Sequence, residues 1–336
     1  MVYNYFTVIH HDSKELEEEF EKEFKKRGNW KKSSKNIDFL YIDEDETKSI
    51  KNKMTYKKVG IKNIIDLKSV ENVVDKFKLI DNLQKKFPDF AKKYTLQQFL
   101  IKKNKKYPEL SNIFDKNVWI LKPIDGFSGK GIKIFDNFND FDKFNKTYNE
   151  YVLQSYIKNP LLINRKKFHL RMYLLETIID NKINTYLLRK GAILTASKKF
   201  KLNTFHDENI HNSHLKSTNK ILIFPDDHLK IFNLNKTIEI FKHVIRICKK
   251  IAILLKDTKC YSESKDCYYI FGLDIMITDD GRVFLIECNK KISHHSLRYF
   301  KLVPELVETT FKTIIDKIYP PKNKIKYNND FYYKIS

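Results

Sequence analysis

Phe271-Gly-Leu-Asp-Ile-Met-Ile-Thr-Asp-Asp-Gly-Arg-Val-Phe-Leu-Ile-Glu-Cys-Asn289 is the stretch whose reading decides the fold. Two apolar runs, 271–277 and 283–288, flank Asp279-Asp-Gly-Arg282 and read as a β-hairpin. Asp280-Gly281 is the preferred pair for a two-residue type I′ turn. That turn sets Asp279 against Arg282, and counting outward brings Asp274 directly opposite Glu287. Asn289 shares a face with Glu287, because side chains alternate along a strand. Two carboxylates opposed on an otherwise apolar sheet repel each other and are poorly solvated. A bound cation removes that cost, and oxygen donors from Asp274, Glu287 and Asn289 suit Mg²⁺ shared with phosphate oxygens. The competing reading is a register off by one or two, or a nearby Lys or Arg that neutralises the acids.

Two further stretches point to an anion. Only 8 glycines occur in 336 residues, yet Gly126, Gly129 and Gly131 fall together after the strand-like run 118–123. Such a cluster marks backbone that approaches something closely. With Lys122 on the strand and Ser128 and Lys130 in the loop, it suggests a phosphate cover; an ordinary hairpin turn is the alternative. In Lys167-Phe-His-Leu-Arg171, the side chains of Lys167, His169 and Arg171 share one strand face. Three potentially cationic groups there are costly without an anion, unless the face is a solvated edge. A hairpin over 168–178 and 183–190 brings Arg189 from the partner strand, so Arg171 and Arg189 are candidate bidentate clamps.

Together these parts describe an ATP site. It is not a Walker A loop, a Rossmann fingerprint or a protein kinase, because the required spacings and the His-Arg-Asp and Asp-Phe-Gly motifs do not occur. Phosphate cover and metal ligands on separate antiparallel sheets follow the logic of an ATP-grasp clamp. The expected fold is therefore α+β: two antiparallel-sheet subdomains closing on ATP, plus a small N-terminal α/β domain. The expected boundaries are 1–65 for the N-terminal α/β domain, 66–157 for the central subdomain with the Gly-rich loop, and 158–336 for the C-terminal subdomain with the metal hairpin.

The rest of the chain agrees with a folded protein of two or three domains. Leu16, Phe20 and Phe24 predict a helix over 12–27, Phe39-Leu-Tyr-Ile42 a short strand, and Asp43-Glu-Asp-Glu46 an acidic loop. Residues 197–236 are polar and irregular, and their His206, His211 and His214 read as solvated loop histidines rather than metal ligands. A long helix follows, with Ile238, Phe241, Ile245, Cys248, Ala252 and Leu255 assigned to one face. A last helix is expected over 304–318. Cys248, Cys260, Cys267 and Cys288 lack zinc spacing and are expected as free thiols in a reducing cytosol. No apolar run reaches membrane-spanning length and no signal peptide is evident, so a cytoplasmic protein without a membrane partner is expected. Net charge is +22, from 64 Lys+Arg against 42 Asp+Glu. That charge attracts polyanions, although Lys, Asn and Ile enrichment also follows from an AT-biased genome.

At the blocks Trp119–Ile132, Val152–Ile163, Lys167–Arg171, Arg189–Ser197 and Phe271–Asn289 the chain resembles the tubulin–tyrosine ligase-like family of ATP-grasp amino acid ligases. Arg27–Lys31 and Lys76–Leu79 extend the resemblance, in family order, over most of the chain. The resemblance implies roles. Lys122 contacts ATP phosphates beneath the loop of Ser128, Gly129, Lys130 and Gly131. Gln154, with the backbone near Tyr156 and Ile157, forms the adenine hinge. Lys167, with His169 beside it, belongs to the nucleotide site. Arg171 and Arg189 bind acceptor or carboxylate, and with Glu287 form the catalytic group. Asp274, Glu287 and Asn289 hold magnesium. Lys76 lies at the rim, and Asn212 matches a Leu-Thr-Asn asparagine that meets substrate. Departures are His169 where the family has Asp, Ser155 where Lys is common, and Lys-Lys-Ile-Ser after Asn289. A histidine does not replace a carboxylate that accepts hydrogen bonds.

The reaction implied is ATP- and Mg²⁺-dependent ligation of a free amino acid (Tyr, Glu or Gly) to a protein acceptor such as an acidic tubulin tail, through an acylphosphate. The alternatives are an ATP-grasp carboxylate–amine ligase acting on small molecules or peptides, and an inactive protein that binds acidic tails. A monomer is expected, and nucleic acid ranks below an acidic protein as partner.

Overall fold

The computed structural model describes residues 1–8, 14–42, 60–62, 67–115, 117–126, 129–144, 146–213, 222–226, 233–260, 266–290, 302–327 and 332–336. The acidic loop 43–46, Ser128 and His214 lie outside the described residues.

The protein is α+β, and among the described residues its strands form two sheets, one of twelve strands and one of four. Four parallel strands come from the N-terminal region: β1 (Tyr3–Val8), β2 (Trp30–Lys32), β3 (Phe39–Ile42) and β4 (Ile61–Lys62). The smaller, antiparallel sheet contains β5 (Gln98–Lys102), β6 (Trp119–Pro123), β7 (Lys133–Phe135) and β8 (Glu150–Ser155), in the order β5-β8-β6-β7. The large sheet is completed by β9 (Leu162–Ile163), β10 (Lys166–Ile179), β11 (Lys182–Leu188), β12 (Gly191–Thr195), β13 (Leu222–Phe224), β14 (Asp266–Ile277), β15 (Val283–Asn289) and β16 (Tyr332–Lys334). Strand β10 is its spine: it pairs with β14 along one edge, and with β12 and then β11 along the other.

Among the described residues, the strands of 1–65 do not form a sheet of their own. All four residues of β3 are buried, so this strand needs cover on both faces and neighbours on both edges. It obtains them by pairing with β1 and β4, and β4 in turn pairs with β14, which makes the N-terminal layer continuous with the C-terminal sheet. The helices Leu67–Val74, Lys76–Lys86 and Pro88–Tyr94 likewise bury Val70, Val73, Leu79, Ile80 and Leu83 in the core of the large sheet. The smaller sheet has a separate core around Trp119, Leu121, Tyr151, Leu153 and Phe141.

Alternation along β10 divides the large core. Leu170, Met172 and Leu174 face the helix Leu234–Leu254, while Tyr173 and Leu175 join the cluster formed by the helices Lys14–Arg27 and Val303–Thr310. Leu16, Phe20 and Phe24 are buried at the expected helical spacing. The buried face of the helix Leu234–Leu254 includes Cys248 and Ala252 of the expected stripe, with Leu255 buried just past its end, and Phe241 and Ile245 pack partly buried against the core. Ile240, Val244, Ile247 and Ile251 widen that face, and Ile238 is 44% exposed. The apolar residues cover more than one stripe, so packing decides where the buried face is centred. The C-terminal helix passes into a π-helical turn at Phe311–Ile315 before ending at Ile318.

One expectation is overturned outright. Cys260 and Cys267 form a disulfide, their Cα atoms 5.7 Å apart, because the chain after the long helix folds back onto the start of β14. Cys248 and Cys288 are free and buried. Among the described residues, no helix is long and apolar enough to cross a membrane.

Candidate active site

Strands β14 and β15 pair Asp274 with Glu287, though not by the expected turn. Thr278 N donates to Arg282 O at 2.9 Å, and Gly281 N donates to Thr278 O at 2.9 Å. Gly281 has φ +89° and Asp280 does not enter the positive region that a type I′ turn requires. Asp280 is held there by the Thr278 hydroxyl and by Arg282 Nε at 2.9 Å, both donating to its carboxylate. The loop is therefore three residues long, and Ile277 faces Val283, one residue away from the counted register. A β-bulge at Ile286 inserts an extra residue and restores the pairing at Asp274. Two departures cancel. The bulge also exchanges the faces of β15: Val283, Leu285 and Cys288 enter the core, while Phe284, Ile286, Glu287 and Asn289 lie on the other side with Asp274 and Met276.

Asn289 Nδ2 stands 3.1 Å from Glu287 Oε1 and 3.2 Å from Asp274 Oδ2, so the three polar side chains converge. Among the described residues, no group of three or more His, Cys, Asp and Glu is placed to hold a metal. The donor set is two carboxylates and one amide, and an amide turned over places its oxygen beside the acids in the same space. Arg171, directly across from Asp274 on β10, forks onto it through Nε and through Nη2 at 3.0 Å. Gly272 makes room for this: a Cβ there would lie 3.1 Å from Arg171 Cδ. Burial opposes the guanidinium charge, but the Asp274 carboxylate outweighs it and holds Arg171 above its ordinary value.

The smaller sheet contributes lysines. Lys122 alternates away from the buried Trp119 and Leu121, and its Nζ donates to Gln154 Oε1 at 2.8 Å. Lys76 Nζ donates to Pro123 O at 3.1 Å, Ile124 O at 2.9 Å and Gly126 O, tying down the base of the glycine loop. Burial lowers the pKa of both lysines, and the Glu287 carboxylate opposes the shift in both.

Lys167, His169 and Arg171 do share a face of β10, and none is more than 5% exposed. Lys167 Nζ donates to the Tyr156 hydroxyl at 3.1 Å and sits 4.4 Å above that ring. Burial, helped by the nearby Lys122 charge, pushes the Lys167 pKa down to about 7. His169 Nδ1 lies 2.6 Å from Ser213 Oγ, and its Nε2 lies 3.6 Å from Asp274 Oδ1.

The polar segment after β12 turns inward at three consecutive residues. His211, expected as a solvated histidine, is only 7% exposed and packs between Phe200 and Phe205. Its Nδ1 meets the Tyr156 hydroxyl at 2.7 Å. Asn212 lies against Gly129 so closely that a Cβ on the glycine would fall 1.8 Å from Asn212 Nδ2. Gly129 also has φ +75°, so space and backbone both demand glycine there. Ser213 meets His169. Residues 211–213 thus touch Tyr156, the glycine loop and His169 in turn.

Sequence reasoning missed an apolar patch beside the acids: Ile157, Met276 and Phe284, with Leu96 and Ile286 packed against them. Alternation from Asp274 already places Met276 on the acidic face, a legible signal; Phe284 and Ile286 depend on the bulge. Arg189 is not brought to Arg171. It lies just past β11, exposed, 5.9 Å over the Tyr333 ring. Lys130 is exposed on the glycine loop and Gly131 has φ +76°.

Residues 52–326 match the model of the tubulin-tyrosine ligase family. A Drosophila melanogaster tubulin glycylase 3B is 26% identical over 230 residues, covering 62% of this chain and 30% of that protein. A probable tubulin polyglutamylase of Caenorhabditis elegans is 24% identical over 212 residues, covering 58% of this chain and 49% of that protein. A probable tubulin–tyrosine ligase of Schizosaccharomyces pombe is 22% identical over 276 residues, covering 70% of this chain and 66% of that protein. The chain thus spans about a third to two thirds of the length of these relatives. The matched span contains every side chain of the cluster from Lys76 to Asn289, and with it this chain belongs to the tubulin–tyrosine ligase family.

Proposed function

We propose that the chain is an ATP-dependent amino acid ligase of ATP-grasp architecture that forms a peptide or isopeptide bond on an acidic protein tail such as that of tubulin. The observation that carries this reading is the convergence of Asp274, Glu287 and Asn289 within electrostatic reach of Lys122 and Lys76. The half-buried Lys122 and Lys76, whose pKa values burial lowers, gain from an incoming polyanion. The apolar patch of Ile157, Met276 and Phe284 offers a surface for a flat base.

The donor chemistry fits magnesium, since hard oxygen ligands from Asp274, Glu287 and a turned Asn289 amide are what that ion takes. Bound there, magnesium would offset the charge of the triphosphate. The protein's own residues do the rest. Lys122 and Lys167 bind phosphate oxygens, Lys76 fixes the loop that covers them, and Arg171 orients Asp274. A substrate carboxylate attacks the γ-phosphorus to give an acylphosphate, and an amine then displaces phosphate. Catalysis of this kind is mostly positioning and charge stabilisation. The role of Arg189 in binding the acceptor rests on the family resemblance, because its side chain lies away from the acidic pair. The net charge of +22 suits an acidic tail and would make its capture salt-sensitive. The names of these relatives, glycylase, polyglutamylase and tyrosine ligase, leave glycine, glutamate and tyrosine as the amino acids to test.

Incubating the chain with ATP, magnesium, tubulin and labelled amino acids should place label in tubulin, and Glu287→Gln should remove it. Label retained by Glu287→Gln would remove Glu287 from the metal set. No label with any amino acid or acidic protein would end the ligase reading.

A further inference from the structure

We propose that His211 is a positioning residue: by accepting the hydroxyl proton of Tyr156 it turns the Tyr156 oxygen toward Lys167 and fixes that ammonium in place. The inference leans on the ATP reading only for what Lys167 meets.

Every proton in this chain of contacts can be assigned. His211 Nε2 lies 3.0 Å from the Thr204 carbonyl oxygen, which only accepts, so Nε2 carries the hydrogen. Burial, with the Lys167 charge, pushes the His211 pKa down to about 4, so the ring is neutral and carries a single N–H. Nδ1 is then an acceptor, and Tyr156, 2.7 Å away, must donate to it. Burial raises the pKa of the phenol, which keeps that proton available. The remaining lone pairs of the Tyr156 oxygen face Lys167 Nζ at 3.1 Å. The order is Lys167 to Tyr156 to His211 to Thr204, each group donating to the next. Bonds in such a series polarise one another, so the acceptor offered to Lys167 is stronger than an isolated phenol. The opposite tautomer would set a nitrogen lone pair against the Thr204 carbonyl.

The surroundings make this acceptor matter. Lys167 is 5% exposed, and Lys122 on the smaller sheet repels it. His169 and Arg171 share its strand face, and Asp274 is engaged by Arg171. Glu287 and Asp274 bear on Lys122 instead, while Asp207 and His206 bear on His211. Among the described residues, Tyr156 is the side chain that accepts from Lys167 Nζ, and its removal lowers the lysine's pKa further.

The test reads the Lys167 ammonium directly, by ¹⁵N NMR of lysine side chains in the full chain, with Lys167→Met for assignment. The midpoint should lie near 7 in the native protein. It should fall by about one pH unit in Tyr156→Phe and in His211→Ala, and the double variant should fall no further than either. His211→Asn, with an amide oxygen near the position of Nδ1, should recover part of the shift. In the same samples, MgATP should bind about tenfold more weakly to His211→Ala than to the native chain on the alkaline side and equally well on the acidic side, where the lysine is charged in both. An unmoved midpoint in both single variants, or an affinity loss equal at every pH, overturns the proposal. If the native chain binds no MgATP, the nucleotide reading fails while the Lys167 midpoint still decides the role of His211.

Discussion

Two acids of the large sheet illustrate what a partner does for a buried charge. Asp274 is 2% exposed and is held by the Arg171 fork. Glu176, on the same strand as Arg171, is fully buried, and no described group donates to either of its carboxyl oxygens. The Thr258 hydroxyl beside it donates instead to Leu255 O at 2.6 Å. Burial pushes the Glu176 pKa up to about 8. A carboxyl whose folded pKa lies above its unfolded value holds its proton more tightly when folded. Its contribution is complete below the unfolded value and is lost as pH rises through about 8, with a slope of at most about 1.4 kcal/mol per pH unit. Glu176→Gln should therefore raise the melting temperature at alkaline pH and leave it nearly unchanged in mild acid. Thermal melts across pH check this, and an unchanged slope between about pH 4.5 and 8 would refute it. Breaking the other pair by Arg171→Met should cost about 3–5 kcal/mol in denaturant unfolding, because Asp274 is left charged and buried.

At the scale of elements, the hairpin and the glycine loop decide the site. Deleting Ile286 removes the bulge, yet plain alternation from Leu285 then leaves Glu287 opposite Asp274 and Asn289 on the same face. MgATP binding, read by calorimetry, should survive that deletion, and lost binding would show that the bulge itself aims the acids. Gly129→Ala meets both a positive φ and Asn212, and should weaken nucleotide binding about fivefold to about a hundredfold through a strain of roughly 1–3 kcal/mol. The element-level reading of the sequence was strongest where a pattern had one solution. Strand β3 and the buried face of the first helix fall where periodicity put them. It was weaker where apolar residues cover more than one stripe, as on the helix Leu234–Leu254, where Ile238 is exposed and Ile240, Val244, Ile247 and Ile251 join the buried face.

Over the whole molecule, the N- and C-terminal segments are joined by a buried ion network. Arg27 is fully buried, donates to Glu23 and to both Asp316 oxygens, and lies 3.9 Å over the Phe311 ring. Asp316→Ala leaves that guanidinium with one carboxylate fewer and should cost about 3–5 kcal/mol. Lys32→Ala, which removes a half-exposed lysine bridging Glu17 and Glu21, should cost under about 1 kcal/mol. Equilibrium unfolding of the two variants side by side checks the contrast, and equal losses would contradict it.

The amino-acid sequence by itself singled out most of the polar side chains that the fold brings together around Asp274 and Lys167. Carboxylates on an apolar hairpin, glycines where glycine is rare and alternating cations on a strand are local patterns, and local patterns survive without a fold. Tertiary structure alone decided how they meet. Whether a turn has two residues or three, where a bulge falls and which histidine enters the core depend on contacts between segments far apart in the chain. Asp274 came to face Glu287 through two offsets that cancel. His211 came to touch Tyr156 because a polar segment folds inward between Phe200 and Phe205, and spacing along a chain records neither.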